Sequence, residues 1–179
     1  EKGLVRSTKL DALPTILDEL GDEKVVLASE SKVFVLALAE AMRKDGRKVV
    51  TITGDDALSI REQRQRDFNK GSTRYLVGTS AIERGLNLQS AKFFVNLDLP
   101  WNPAKWFQRV GRIRRIGSPH AAIRVVNIIA RDTVESYMLR VVYEKKRLFD
   151  QVFRADAEDI TGVSVTQTEG SLTEILKGS

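Results

Sequence analysis

The chain contains no cysteine and one histidine, His120. Disulfides and thiolate metal sites are thereby excluded, and a clustered imidazole site is not available. A cysteine-free chain suits a reducing, intracellular setting. No apolar run approaches the roughly 20 residues that cross a bilayer, and the charged start, Glu1-Lys2-Gly3, does not read as a secretory signal. The absent initiator Met makes a processed chain or a piece of a longer one the expectation. Nothing matches Gly-x-x-x-x-Gly-Lys-Ser/Thr, and no Asp-Glu pair follows a strand, so a self-contained phosphate cradle is excluded. Acidic residues are also missing locally. Between Leu99 and Arg131 there is no Asp or Glu, while Lys105, Arg109, Arg112, Arg114, Arg115, Arg124 and Arg131 all fall there.

What is present suits one globular domain: 179 residues, 42% hydrophobic and 30% charged. A net charge of +5 favours anionic partners such as nucleic acid or nucleotides without choosing between them. Leu10, Leu13, Ile16, Leu17 and Leu20 recur at helical spacing up to Gly21. Short apolar runs predict strands at Val25–Ala28, Lys48–Ile52, Tyr75–Val77, Phe93–Leu97 and Ile123–Ile129. Between them, helices are expected over Lys32–Lys44, over Ala57–Asn69 with Ile60 and Phe68 as anchors, and from Pro103. A last long helix is expected from Thr133 to Phe153, where Asp132 and Glu135 resemble a capping box. This alternation predicts the α/β class, a doubly wound parallel sheet with helices on both faces. Ligands of such sheets sit outside the carboxyl ends of the strands, so the loops at Ser29, Thr53, Thr79, Asp98 and Ala130 should share one rim. The domain should span 7–153, followed by an acidic and polar C-terminal arm over 154–179 that is extended or forms a short helix.

The stretch Trp101–Gly117 organises the rest. Asn102 before Pro103 is a helix-start signal, because the Asn side chain accepts from an orphan N–H and Pro needs no partner at the first helical position. On a helix continuing that far, Gln108, Arg112 and Arg115 fall at i, i+4 and i+7, one face able to grip a phosphate. A solvated basic face is the plainer reading of such a run. Gly111 weakens the helix and suggests close approach of another backbone. Trp106 and Phe107 read as core packing, Trp101 as either core or rim, and His120 as a loop residue. The loops Ser29-Glu30-Ser31 and Thr53-Gly54 each precede a helix, where free N–H groups favour a phosphate but ordinary capping serves as well. Thr79, Ser80 and Gly85 suit turn geometry, with Gly85 placed for positive φ or a tight approach.

Three segments resemble motifs of a known family. Thr79–Leu88, Asp98–Pro103 and Gln108–Gly117 are similar to motifs V and VI of superfamily II helicases, and Trp101-Asn102-Pro103 with Arg115-Ile116-Gly117 resembles the Swi/Snf branch. Ser7–Leu13 and Val26–Ser29 resemble that branch's opening helix and motif IV, so the resemblance runs from Ser7 to Phe153. Asp55-Asp56 falls in the loop that resembles motif IVa. The resemblance implies the second RecA-like lobe of a two-lobed ATPase, with ATP and Mg2+ held mainly by a first lobe of the same protein. It makes Arg112 and Arg115 arginine fingers, a role suited to a planar, permanently charged fork. Gln108, Gly85, Asn87 and Glu83 become nucleotide-cleft residues, with Glu83 a coupling residue. Ser29, Ser31, Lys32, Thr53, Gly54, Thr79, Ser80, Arg84 and Trp101 become nucleic-acid contacts. Arg114 and Ser118 stand where the branch has His and Gln, which points to a bacterial, archaeal or viral outlier, cytoplasmic and on the nucleoid if prokaryotic. The function so implied is a duplex-DNA translocase lobe, inactive toward ATP alone. The alternatives are a lobe of an RNA helicase or helicase-nuclease, and a non-catalytic docking module of the same fold.

Overall fold

The computed structural model describes residues 8–83, 85–100, 102–111, 119–120, 123–128, 137, 140–141, 144 and 164–167. Four helices and six strands alternate through them: α1 (Thr8–Glu19), β1 (Val25–Ala28), α2 (Lys32–Lys44), β2 (Val49–Ile52), α3 (Leu58–Lys70), β3 (Tyr75–Gly78), β4 (Phe93–Asn96), α4 (Pro103–Val110), β5 (Arg124–Asn127) and β6 (Ser164–Gln167). A 3-10 turn, Ser80–Glu83, follows β3. Every strand pair is parallel, in the order β2-β3-β1-β4-β5-β6.

Strands β1, β3 and β4 are buried along their whole length, as expected of a sheet covered on both faces. Alternation divides their side chains between two cores. Val26, Ala28, Leu76, Phe94 and Val125 pack with Phe68 of α3, Ala81 and Ile82 of the 3-10 turn, and Trp106 and Val110 of α4. Val25, Leu27, Val77, Val95 and Val126 pack with Leu13 and Leu17 of α1 and Val35, Leu38 and Met42 of α2. The period of two along each strand thus recruits helices to both faces, and the fold class predicted from the sequence is the one observed.

Some side chains differ from expectation. Ile60 is no anchor: it is 45% exposed, and among the described residues of α3 only Phe68 is buried. Polar bonds hold α3 instead. Arg64 Nη1 donates to Thr51 O at 2.7 Å, Asn69 Nδ2 donates to Asn87 O at 2.7 Å, and Asn87 N donates to Gln65 Oε1 at 2.9 Å. At its end the Lys24 ammonium donates to the carbonyls of Phe68, Gly71 and Thr73, and partial burial holds that ammonium below the usual lysine pKa. Gly111 is not pressed by another backbone among the described residues. A Cβ there would meet only the Phe107 and Gln108 carbonyl oxygens of its own helix, so Gly111 serves as the C-cap. Four residues of the expected arm form β6, in register with β5 from Arg124↔Ser164 to Asn127↔Gln167. The expected helix from Thr133 with its capping box, and the Ala130 loop, lie outside the described residues apart from Tyr137, Arg140, Val141 and Glu144, which have helical backbone.

Candidate functional site

The strand ends are level. Ile52 pairs with Gly78, Gly78 with Ala28, Ala28 with Asn96 and Asn96 with Asn127. The next residues carry the ladder one step further: Thr79 N donates to Ile52 O, Ser29 N to Gly78 O, Leu97 N to Ala28 O and Ile128 N to Asn96 O. Thr53, Thr79, Ser29 and Leu97 therefore stand in a row along one rim. With neighbouring strands about 4.8 Å apart, the four loops form one continuous surface.

Several hydroxyls on that row point inward. Ser29 is 1% exposed, donates its hydroxyl to Asp98 Oδ2, and accepts from Ser31 N at 3.1 Å. Thr53 is also buried, and both its N–H and its hydroxyl donate to Asp56 Oδ2, at 2.7 and 3.1 Å. Asp56 is in turn paired with Arg64 at 2.8 Å. Thr79 is buried, its Oγ1 accepting from Ala81 N at 3.4 Å. These residues shape the loops, while Ser31, Lys32 and Gly54 stand exposed. Ser31 caps α2 by accepting from Phe34 N at 3.2 Å, and Lys32 pairs with Asp55 of the next loop.

The centre of the rim is a charge that the sequence marks only as one member of a basic run. On α4, Trp106, Arg109 and Val110 fall at i, i+3 and i+4 and are the buried residues, whereas Ala104, Lys105 and Gln108 are exposed. Arg109 occupies a core-facing position and is fully buried. Its Nε donates to Glu83 Oε1 at 2.5 Å and its Nη2 to Glu30 Oε1, while Nη1 has no hydrogen-bond partner and lies 3.9 Å from Asp98 Oδ1. A buried guanidinium is tolerated only with such partners. They come from the loop after β1, the turn after β3 and the loop after β4. The spacing Trp106-x-x-Arg109-Val110 was the available signal.

Asn102 caps α4 as predicted, accepting from Ala104 N at 2.9 Å, with Pro103 at the first turn. Trp106 is 1% exposed, meets Phe107 edge-on with centroids 5.1 Å apart, and donates from Nε1 to Asn127 Oδ1 at 3.1 Å. Gly85 takes φ +71° with nothing within 4 Å of a Cβ, so backbone conformation and not crowding requires glycine there. Asn87 is fastened to α3 through its backbone, its amide donates to Gln89 Oε1 at 3.2 Å, and its buried Oδ1 has no partner. Glu83 and Asn87 thus flank the positive-φ glycine, while Gln108 faces outward from α4. Arg112, Arg115, Arg84 and Trp101 lie outside the described residues.

Comparison with known proteins gives these segments a context. The helicase conserved C-terminal domain model matches residues 8–117. Over 155 residues the chain is 31% identical to the uncharacterized ATP-dependent helicase YqhH of Bacillus subtilis, covering 87% of this chain and 28% of that protein. It is 31% identical over 138 residues to the ATP-dependent RNA helicase FAL1 of Lodderomyces elongisporus, covering 77% and 34%. To eukaryotic initiation factor 4A of Zea mays it is 30% identical over 142 residues, covering 79% and 33%. The chain therefore spans about a third or less of these relatives. Among solved structures, the C-terminal part of the Fun30 ATPase domain superposes with a TM-score of 0.68 at 22% identity, covering 76% of this chain and 46% of that one. The C-terminal domain of the DEAD-box protein Dbp5 also gives 0.68, at 23% identity, covering 96% and 91%.

Proposed function

The chain belongs to the helicase conserved C-terminal domain family of superfamily II helicases, and from that premise we propose that it is the second motor lobe of a DNA-stimulated, ATP-hydrolysing translocase of Swi/Snf type. The observation that carries this reading is the buried Glu83–Arg109 pair. It joins the segment resembling motif V to the helix that opens the segment resembling motif VI. In this reading the first lobe of the same protein binds ATP. Arg112 and Arg115 approach the γ-phosphate, Gln108, Glu83, Gly85 and Asn87 border the cleft, and the unpartnered Asn87 Oδ1 is an acceptor available to it. Mg2+ is in this reading held mainly by the first lobe, because this chain lacks the phosphate cradle.

The exposed Ser31, Lys32 and Gly54, with Ser80, Arg84 and Trp101, would meet the nucleic-acid backbone, while Ser29, Thr53 and Thr79 hold the loops that present them. Phosphate contacts give affinity without sequence information, so binding should weaken steeply with salt. Duplex DNA is favoured by the Trp101-Asn102-Pro103 signature. A second reading, an RNA helicase lobe, is favoured by the similarity to the ATP-dependent RNA helicases FAL1.

One experiment tests both. ATP turnover of the two-lobed protein is measured with duplex DNA, single-stranded DNA and RNA, for wild type, Arg112→Ala and Arg115→Ala. The expected result is stimulation greatest with duplex DNA and a loss of about a thousandfold in each variant, with nucleotide binding largely kept. Unchanged turnover in both variants sinks the arginine-finger assignment, and stimulation by RNA alone selects the second reading.

A further inference from the structure

The network around Arg109 contains one more carboxylate than its guanidinium engages. Glu83 and Glu30 accept its Nε and Nη2, whereas Asp98 stands 3.9 Å from the unpartnered Nη1. The three acids differ in freedom: the side chains of Glu83, Asp98 and Glu30 are 8%, 27% and 39% exposed. Glu83 is locked. Asp98 is held by the Ser29 hydroxyl and by the Glu30 N–H, which lies 3.0 Å from both its oxygens. Glu30, the most exposed of the three, is the acid that can turn into water at least cost to itself. It is also the residue before Ser31 and Lys32, and Lys32 does not neutralise it because that ammonium is paired with Asp55.

We propose that Arg109 is a positioning residue with two arrangements, and that Glu30 selects between them according to whether a phosphate occupies the loop after β1. The inference rests on the helicase-lobe reading. In one arrangement Arg109 is shared by Glu83 and Glu30, as in the structure. A phosphate at Ser31 repels the adjacent Glu30 carboxylate, which turns outward to water. The guanidinium, a rigid fork that cannot stay buried and half-paired, then swings Nη1 onto Asp98 while keeping Glu83. Because Arg109 is built on α4, three residues before Arg112 in the chain, the swing moves the helix from which the chain runs on to the arginines proposed for hydrolysis. Grip on the nucleic acid would thereby reach the nucleotide through one side chain. It is a discrete two-state element of the kind such coupling needs.

The test uses this chain with a short DNA duplex as probe, binding followed by fluorescence polarisation and α4 by hydrogen exchange of residues 103–111. In the wild type, binding should change α4 exchange by roughly threefold or more. Glu30→Ala, altered at the most exposed of the three acids, should show the bound-like exchange already in the free chain and no further change on binding. Asp98→Asn, which keeps the side-chain shape, should still bind but leave α4 exchange unmoved. A Glu30→Ala chain that exchanges and responds like wild type overturns the proposal alone. A wild-type chain that does not bind the duplex overturns the functional reading, and the proposal with it.

Discussion

Gly78 and Gly85 sit close together in the chain and are required for opposite reasons. At Gly78 the backbone is ordinary, but a Cβ would overlap Ile82 Cγ2 and lie 3.1 Å from Ile52 O. At Gly85 there is open space, but φ is +71°. The first is a packing constraint and the second a conformational one. Gly85→Ala should therefore cost about 1–2 kcal/mol and Gly85→Asn clearly less, because Asn tolerates the left-handed region. At Gly78 alanine should cost about 1–3 kcal/mol, and asparagine, being larger, should be worse. Urea unfolding of the four variants checks this. Equal losses for Ala and Asn at position 85 would show that space and not φ is the constraint there.

An edge strand shows what an element must manage beyond its own ladder. β2 ends the sheet, and its Lys48 and Ile52 carbonyls accept from β3, so those of Val49 and Thr51 face away from the sheet. Both are occupied by guanidiniums. Arg43 donates to Val49 O from Nε at 3.3 Å and from Nη2 at 3.1 Å, and Arg64 donates to Thr51 O at 2.7 Å. Charged groups over an open edge oppose pairing with a second strand. Removing both, as Arg43→Ala with Arg64→Ala, should raise the average mass in sedimentation velocity as protein concentration increases, relative to wild type. The same concentration dependence in the two proteins would count against an edge-guarding role. The α2 helix meanwhile leaves Val33 80% and Leu36 44% exposed, because its buried stripe runs through Val35, Leu38, Ala39 and Met42.

At the scale of the whole molecule, stability depends on pairs that tie distant segments together. Glu23, before β1, accepts from Lys92, before β4, at 2.7 Å. That hydrogen bond, helped by the charge of Lys92, holds the carboxyl below its ordinary pKa of 4.5. A depressed acid contributes stability that is complete above the unfolded-state pKa and is lost as pH falls through the folded one. Both groups are more than a third exposed, so solvent screening limits the pair to about 0–1 kcal/mol. Glu23→Gln should be slightly less stable than wild type in denaturant at pH 7, and the difference should vanish well below pH 4.5. A gap that persists undiminished at low pH would assign the effect to packing.

The sequence by itself determined the α/β class, the order of the elements from α1 to β5, the Asn102–Pro103 helix start and the rim that the loops after β1 to β4 share. These rest on local signals, namely periodicity, caps and turn residues, which act over a few positions. Tertiary structure alone decided which charges and hydroxyls face inward. Glu30, Glu83, Asp98 and Arg109 are scattered over 80 residues of chain, from position 30 to 109, and nothing local marks them as a set. Burying a guanidinium becomes tolerable only when folding brings its carboxylates together, and the inward turn of Ser29 and Thr53 depends likewise on Asp98 and Asp56. Ile60 is exposed for the same reason: helical spacing shows which residues share a face, but only the packed neighbours decide which face is covered.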